Sequence, residues 1–247
     1  MRIIISPAKK MKQSDDLAAD MEMPALISDA EKIMQWMQQL SYSEAKILWN
    51  CNDRIAEENF NRLRIMNLRG SLTPAIVAFD GIQYRYMAPA VFEDSMLAYV
   101  QEHLRILSGF YGVLRPMDGV TPYRLEMQAR ARIGDAKDLF DFWGSRIYDT
   151  VMDDSRLIIN LASREYSVCV ERYLQPGDTL ITCIFGEMSN GRVRQKGTHA
   201  KMARGEMVRF MAENRIERPE EMRQFHRLGY GFCAGLSTET SYVFVRQ

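Results

Sequence analysis

The sequence predicts a mixed α/β protein of the α+β type, in which a mixed sheet forms the core and helices surround it. Three features indicate this class: apolar stripes at helical spacing, short apolar runs bounded by turn residues, and the irregular order in which the two follow one another. The 247 residues include 47% hydrophobic and 26% charged residues, which are ordinary values for a globular protein. Because no linker rich in Pro, Gly or Ser interrupts the chain, we expect one compact domain over residues 1–247.

The first half is predicted to begin with a buried strand and to continue mainly as helices. The β-branched run of residues 2–5 forms the strand, which Ser6 and Pro7 end. Apolar periodicity predicts helices over 24–40, 43–48, 53–66 and 93–107, and a short apolar run predicts a strand over 74–79. The last of these helices is expected to end at Ser108 and Gly109, since glycine readily adopts the left-handed conformation that closes a helix.

The second half is predicted to alternate between the two kinds of element. Helices are predicted over 138–152 and 163–174, from an N-cap at Thr198 to about 214, and in a short segment from Pro219. Strands are predicted over 157–161, 178–185, 192–194, 230–233 and 242–245. The dipeptide Asn190-Gly191 is typical of a tight hairpin turn, so the strands on either side of it should pair.

Charge and cysteine usage argue against several classes of protein. The 32 basic and 32 acidic side chains give a net charge of zero, so a nucleic-acid-binding role would depend on local clustering of charge. The four cysteines form no C-x-x-C pair, and the three histidines offer no local zinc-ligand spacing. We therefore expect free thiols, no metal and no cofactor.

The location of the protein is predicted by elimination. The apolar run of residues 3–5 is too short for a signal peptide, and no stretch approaches the roughly 18 apolar residues that span a bilayer. The sequence thus predicts a cytoplasmic protein with no membrane partner, in a compartment that keeps thiols reduced.

A short basic segment, Ser6-Pro7-Ala8-Lys9-Lys10, follows the first strand. Ligands of open sheets bind at strand ends, where a lysine can meet an anion. The spacing of Ser6 and Lys9 also matches the S-x-x-K motif of serine acyl-transferases, but the segment is not predicted to be helical and the partner motif K-T-G is absent. A solvated basic loop is the other interpretation.

A glycine-bounded turn lies within residues 104–116. It is similar to the turn of a helix-hairpin-helix DNA-binding element, in which main-chain N–H groups near Gly109 and Gly112 would meet a phosphate. Two residues separate the glycines where the usual hairpin has one, and Pro116 prevents a helix from running straight on. The other interpretation is a tight turn that packs Phe110 and Tyr111 into the core.

Further arginines could complete a basic cleft. As part of an extended segment, Arg124 and Glu126 would share one face and could pair with each other. Arg124 could instead line a cleft together with Arg105 and Arg115. The sequence leaves both arrangements open.

The helix that is predicted from Thr198 carries a one-sided basic face. Lys201 and Arg204 lie opposite its apolar stripe, and Arg209 lies beside them. Three further basic residues precede this helix, namely Arg192, Arg194 and Lys196. Such a concentration indicates a basic binding surface, although a solvated outer face is the commonest reason for such a helix.

These segments together resemble the bacterial YaaA peroxide-stress family. The resemblance runs from the first residues to the closing strand through segments 4–9, 80–84, 103–118, 122–127, 142–144, 160–166 and 201–210. It implies a single mixed α/β domain with a positively charged cleft and a helix-hairpin-helix-like element. It also implies a cytoplasmic protein that helps cells to survive hydrogen peroxide by lowering unincorporated iron, and that binds duplex DNA without marked sequence preference.

Two functions remain in view at this point. The first is DNA binding, with phosphate contacts from Lys9, Arg105, Arg115, Arg124, Lys201, Arg204 and Arg209 and main-chain N–H groups from Gly109 and Gly112. The second is an enzyme that acts on a small molecule bearing a phosphate or a carboxylate. The sequence shows no complete nucleophile–base or metal constellation, which favours a binding protein. A deep pocket that holds Ser6, Lys9 and Arg124 would favour the small ligand, and a long open groove would favour nucleic acid.

Overall fold

The computed structural model describes residues 1–14 and 21–246. The strands in this part of the chain are β1 (Arg2–Ile5), β2 (Lys10–Met11), β3 (Thr73–Pro74), β4 (Phe79–Asp80), β5 (Leu104–Ser108), β6 (Gly112–Leu114), β7 (Gly119–Val120), β8 (Leu157–Leu161), β9 (Thr179–Ser189), β10 (Arg192–Arg194), β11 (Tyr230–Phe232) and β12 (Ser241–Arg246). The α-helices are α1 (Ile27–Gln38), α2 (Tyr42–Trp49), α3 (Asp53–Arg64), α4 (Ala75–Ala78), α5 (Ile82–Met87), α6 (Asp94–His103), α7 (Leu139–Trp143), α8 (Arg146–Val151), α9 (Arg164–Glu171) and α10 (Gly197–Glu213). Short 3-10 turns, including Pro219–Gln224, complete the path.

A single eight-stranded sheet forms the centre of the molecule. Its strands follow the order β11-β12-β9-β8-β1-β5-β6, and β10 pairs with β9 as well. The central neighbours β5, β1, β8, β9 and β12 are parallel, whereas β6, β10 and β11 pair antiparallel with their partners. The fold is therefore a single compact domain of the mixed α/β class, as the sequence predicts.

The central parallel strands are buried on both faces. Ile3, Ile4 and Ile5 of β1 are fully buried, and so is almost every residue of β5 and β8. Helices cover both faces of such a sheet, which explains why its strands are continuous apolar runs rather than alternating ones.

The order in which successive strands are added to the sheet reverses between the parallel strands β1 and β8. The connection that leaves β1 leads to β5 on one side, and the connection that leaves β8 leads to β9 on the other. The two strands are parallel neighbours, with Ile5 opposite Leu161 at their carboxyl ends. In open α/β sheets, ligands bind in the crevice outside the carboxyl ends of the strands at such a switch point.

Two predicted elements of the first half are wrong in type. Residues 75–78 form a helical turn instead of the middle of a strand. All four are buried, and a short apolar run that is buried on every side has no periodicity to distinguish a helix from a strand. The helix predicted over 93–107 ends at His103, and residues 104–108 form β5.

The segment around Gly109 is consequently a β-hairpin. The strand β5 pairs antiparallel with β6, with Ser108 opposite Gly112. The helix-hairpin-helix-like element predicted here is therefore not formed. The apolar spacing of α6 continues into β5 without a break, and it is the pairing of β5 with β1 on one side and with β6 on the other that selects the extended form.

Smaller differences concern helix boundaries. The helix predicted over 138–152 is divided into α7 and α8 at Gly144, whose φ of +53° favours glycine. Thr198 is not the N-cap of α10, because the helix begins at Gly197 after Lys196, which makes no side-chain capping bond. The other predicted helices and strands are confirmed, with ends shifted by a few residues. None of the helices in residues 1–14 and 21–246 is long and apolar enough to cross a membrane.

Candidate functional site

A cavity of about 350 Å³ opens at the carboxyl ends of β1 and β8, and we call it the switch-point cleft. The loop after β1, the beginnings of α5 and α9, an extended segment before α7, and one face of α10 enclose it. Its lining residues are Ser6–Lys10, Asp80–Tyr84, Tyr123–Glu126, Ser163, Glu165, Tyr166, Lys201 and Arg204.

Two serines join the strand ends at the floor of the cleft. The main-chain N–H of Ser163 donates to Ser6 Oγ at 2.8 Å, and Ser6 Oγ donates to Ser163 Oγ at 3.1 Å. The phenol of Tyr84 donates to the Ser6 carbonyl oxygen at 3.0 Å. Lys9 Nζ pairs with Glu126 at 2.6 Å, so Ser6 and Lys9 bond to other partners instead of forming an acyl-transfer pair.

Carboxylates neutralise part of the basic wall. Glu126 lies between two cations, Lys9 and Arg124, the second at 3.6 Å from its carboxylate. Asp80 pairs with Lys10 and with Arg85, each at 2.9 Å. The hydrogen bonds from Lys10 and Arg85 lower the pKa of Asp80, which keeps its carboxyl group charged.

Close packing of α10 against α5 brings two more cations to the cleft. A Cβ atom at Gly205 would overlap the main-chain carbonyl of Gln83, so only glycine permits this approach. Lys201 and Arg204 lie on the same helix and line the cleft. In the part of the chain that the structure describes, neither forms an ion pair with a carboxylate. Burial lowers the pKa of the Arg204 guanidinium.

Three buried donor atoms at the cleft have no hydrogen-bond partner among residues 1–14 and 21–246. They are Nε of Arg124, Nε of Arg204 and Nε2 of Gln83, on three different segments. Buried polar groups are nearly always satisfied in native proteins. Because all three groups are donors, the site is suited to a ligand that presents acceptor oxygens.

One carboxyl group of the cleft has a perturbed pKa. Burial raises the pKa of Glu165, and the nearby charge of Glu126 acts in the same direction. The main-chain N–H of Gln128 donates to Glu165 at 3.4 Å. Glu165 is therefore a carboxyl group of the cleft lining whose pKa lies above its ordinary value.

The structure brings four of the predicted anion-binding side chains together, Lys9, Arg124, Lys201 and Arg204. Gln83, Ser163 and Glu165 were not predicted as site residues. A signal for Ser163 exists in the sequence, because it lies two residues after the end of β8, much as Ser6 lies one residue after the end of β1. Gln83 gives no such signal, since its role depends on the packing of α10 against α5.

Arg105 and Arg115 do not line the cleft with Arg124. The buried guanidinium of Arg105 donates to the carbonyl oxygens of Gln101 and Leu104 at 3.2 and 2.8 Å, and burial lowers its pKa to about 10. Arg115 pairs with Asp118 and Glu22 at 3.2 and 2.5 Å. Of these three arginines only Arg124 lines the cleft, because Arg105 and Arg115 are bonded to acceptors elsewhere.

Gly109 and Gly112 lie in the interior. The N–H groups of Phe110 and Tyr111 donate to Ser108 Oγ at 3.1 and 2.8 Å, and both aromatic rings are fully buried. The turn is therefore not an exposed phosphate-binding loop; the alternative of a turn that packs both rings into the core is the one observed.

Arg209 faces away from the cleft residues. It pairs with Glu213 one turn further along α10 at 2.8 Å. Although it shares the helix with Lys201 and Arg204, it does not line the cavity.

The sequence is similar to known proteins along its whole length. The sequence model of the family described as peroxide stress protein YaaA matches residues 1–236. The chain is 56% identical to a UPF0246 protein of Agathobacter rectalis over 247 residues, which cover 100% of this chain and 99% of the relative. It is 52% identical to a UPF0246 protein of Lachnoclostridium phytofermentans (100% and 96% covered) and 50% identical to one of Pediococcus pentosaceus (100% and 98%).

Proposed function

The chain belongs to the peroxide stress protein YaaA family, and on this basis we propose that it acts in the cytoplasm, in peroxide resistance, by binding a phosphate- or carboxylate-bearing anion in the switch-point cleft. One observation carries the proposal: the unpartnered Nε atoms of Arg124 and Arg204 and Nε2 of Gln83 are buried at one cavity. An unsatisfied buried donor costs about 1–3 kcal/mol, which an acceptor-rich ligand recovers.

Charge supports the same class of ligand. Lys201 and Arg204 make no ion pair within the described residues. Burial lowers the pKa of Arg204, and an anion bound beside the guanidinium would offset that lowering. Guanidinium groups bind phosphate and carboxylate through paired, charge-assisted hydrogen bonds. The cavity of about 350 Å³ lies within the usual range for small-ligand sites, roughly 300–1,000 Å³.

We propose binding rather than catalysis as the activity of this cleft. A serine nucleophile needs a base within hydrogen-bond reach. Ser6 Oγ is instead engaged with Ser163, and Lys9 with Glu126. The alternative of an enzyme would have to use Glu165 as its acid or base.

Calorimetric titration with inorganic phosphate and with pyrophosphate tests the proposal. The variant Arg204→Gln removes the buried charge, and Arg209→Gln on the same helix is its matched control. We expect Arg204→Gln to weaken binding by about tenfold or more, since a charged hydrogen bond contributes about 1.5–3 kcal/mol. The control should match the unsubstituted protein. Equal affinities in all three proteins would refute the proposal.

A second candidate is binding of duplex DNA through the same basic face. The observation that favours it is the exposure of Lys201 on α10 and of Arg192 and Arg194 on β10, which precedes that helix. Such residues would extend the cleft as a phosphate-contacting surface, and contacts of this kind carry no base specificity.

Fluorescence anisotropy of a labelled duplex at several salt concentrations tests the second candidate. Neutralisation of Z phosphates makes log K fall with log salt at a slope of about −0.9Z. The double variant Lys201→Ala/Arg204→Ala should bind more weakly and with a shallower slope, whereas Arg209→Ala should not. Absence of binding at low salt would remove duplex DNA as a partner.

The link to peroxide can be tested in cells. We propose that the occupied cleft helps to limit iron-dependent oxidative damage. Cells that lack the native protein and receive Arg204→Gln should then survive hydrogen peroxide less well, and contain more unincorporated iron, than cells that receive Arg209→Gln. Equal survival would separate the cleft from the stress function.

A further inference from the structure

A second cavity, of about 620 Å³, adjoins the switch-point cleft, and we call it the tryptophan pocket. Lys9, Arg124 and Glu126 line both cavities, so one basic wall serves the two. The far side of the tryptophan pocket is formed by α1, which contributes Trp36, and by α2, which contributes Trp49.

Trp49 carries the observation that points to a ligand. The residue is 3% exposed, and its indole Nε1 is buried with no hydrogen-bond partner in the part of the chain that the structure describes. An indole N–H is a donor only, and buried tryptophans usually find an acceptor. An occupant of this pocket that presents an acceptor atom would satisfy it.

The part of the wall that α1, α2 and the residues between them form is largely apolar and suited to a flat ring. Trp36, Leu40 and Leu48 are half-buried at the pocket, and Ile47 on its rim is 78% exposed. Aromatic side chains bind nucleobases by stacking without strong preference among the bases. The chemistry on this side therefore selects a planar ring with acceptor atoms.

We propose that the ligand of the two adjoining cavities is a nucleotide unit, with its phosphate in the switch-point cleft and its base in the tryptophan pocket. This inference rests on the proposed anion binding and names the class of ligand. The shared wall of Lys9 and Arg124 places cations where ring and phosphate would meet. Exposed Arg130 at the tryptophan pocket adds a further cation on that side.

The test compares ligands that differ only in the ring. Calorimetric titrations use the four common nucleoside 5′-monophosphates, ribose 5-phosphate, adenosine and inorganic phosphate as probes. At least one nucleotide should bind about ten- to a hundredfold more tightly than ribose 5-phosphate. If none does so, the inference is overturned while anion binding can still stand.

Variants assign the preference to the tryptophan pocket. Trp49→Phe keeps an aromatic ring but removes the N–H and the five-membered ring that carries it. Ile47→Ala trims an exposed residue that is not part of the core. Both should weaken nucleotide binding several-fold and leave inorganic phosphate binding unchanged. Ile65→Ala is the matched control, since Ile65 is 84% exposed and does not line the pocket. Identical nucleotide affinities in all these proteins would also overturn the inference.

Two further arms separate the sources and the proposals. Competition of the best nucleotide by single-stranded but not duplex oligonucleotide would assign the site to an unpaired nucleotide of a chain, and no competition by either would assign it to a free nucleotide. Adenosine binding that Ile47→Ala weakens, without any phosphate binding, would sustain the ring pocket and refute the anion cleft. Failure of every probe refutes both.

Discussion

The hydroxyl of Ser6 accepts the main-chain N–H of Ser163 at 2.8 Å and donates to the Ser163 hydroxyl at 3.1 Å. These bonds connect the carboxyl end of β1 to that of β8 at the point where the strand order of the sheet reverses. The Ser6 side chain therefore fixes the floor of the cleft. It also fixes the position from which the loop that carries Lys9 begins.

Replacement of Ser6 should destabilise the protein more than replacement of Ser163. In Ser6→Ala, the Ser163 N–H loses its acceptor, and an unsatisfied group of this kind costs about 1–3 kcal/mol. In Ser163→Ala the N–H keeps its partner, so the loss should be only about 0.5–1.5 kcal/mol. Urea denaturation of both variants gives the comparison, and the reverse order would show that the hydroxyl–hydroxyl bond matters more.

The positions of individual strand ends were accessible from the sequence because apolar runs and turn residues mark them. The strand end placed Ser6 and Lys9 at a binding site, the helical spacing after Thr198 placed Lys201 and Arg204 on one basic face, and all four line the cleft. Arg105 and Arg115 lie outside the cleft, and their carbonyl and carboxylate partners depend on tertiary packing that leaves no pattern in the sequence. The turn at Gly112 shows the same limit: its φ of +71° suits a binding loop, yet Trp143 packs against it from a remote helix.

Gly205→Ala should both destabilise the fold and weaken anion binding. The new methyl group would overlap the Gln83 carbonyl, and main chain cannot rotate away as a side chain does. Overpacking of this kind costs about 1–3 kcal/mol, and separation of α10 from α5 would move Lys201 and Arg204 from the cleft. Thermal denaturation and phosphate titration measure the two effects.

The control for that experiment lies on the same helix. Apart from its own helix backbone and chain neighbours, no atom of the described residues lies within 4 Å of a Cβ atom built at Gly197. Gly197→Ala should therefore leave stability unchanged or raise it by up to about 1 kcal/mol, through helix propensity alone. If Gly205→Ala were as stable as Gly197→Ala, the close approach of the two helices would not be required.

Asp118 should make the protein less stable as the pH rises from about 4 to 7. Burial raises the pKa of Asp118 to about 6 from its ordinary value of 3.8, and this outweighs the attraction of Arg115. The folded state then binds the proton more tightly than the unfolded state, so the stabilisation is complete below pH 3.8 and is lost as the pH passes 6. The span corresponds to at most about 3 kcal/mol.

Asp118→Asn isolates this effect. The amide oxygen can still accept the Arg115 N–H that Asp118 accepts at 2.8 Å, but the side chain no longer titrates. Urea denaturation measures the stability of both proteins between pH 3.5 and 7.5. As the pH is raised, the stability of the variant should increase relative to that of the unsubstituted protein. A fall would mean that the ion pair with Arg115 dominates and holds the pKa of Asp118 low.

The four thiols should divide into two classes toward oxidants and alkylating reagents. Cys169 and Cys183 are buried, and burial raises the pKa of each to about 12, which suppresses the reactive thiolate. Cys51 and Cys233 are half-buried. Iodoacetamide or dilute hydrogen peroxide should therefore modify at most these two in the native protein and all four after denaturation, as mass spectrometry of peptides can show. Rapid native modification of Cys183 would require β9 to open, because β8 and β12 flank that strand on both sides.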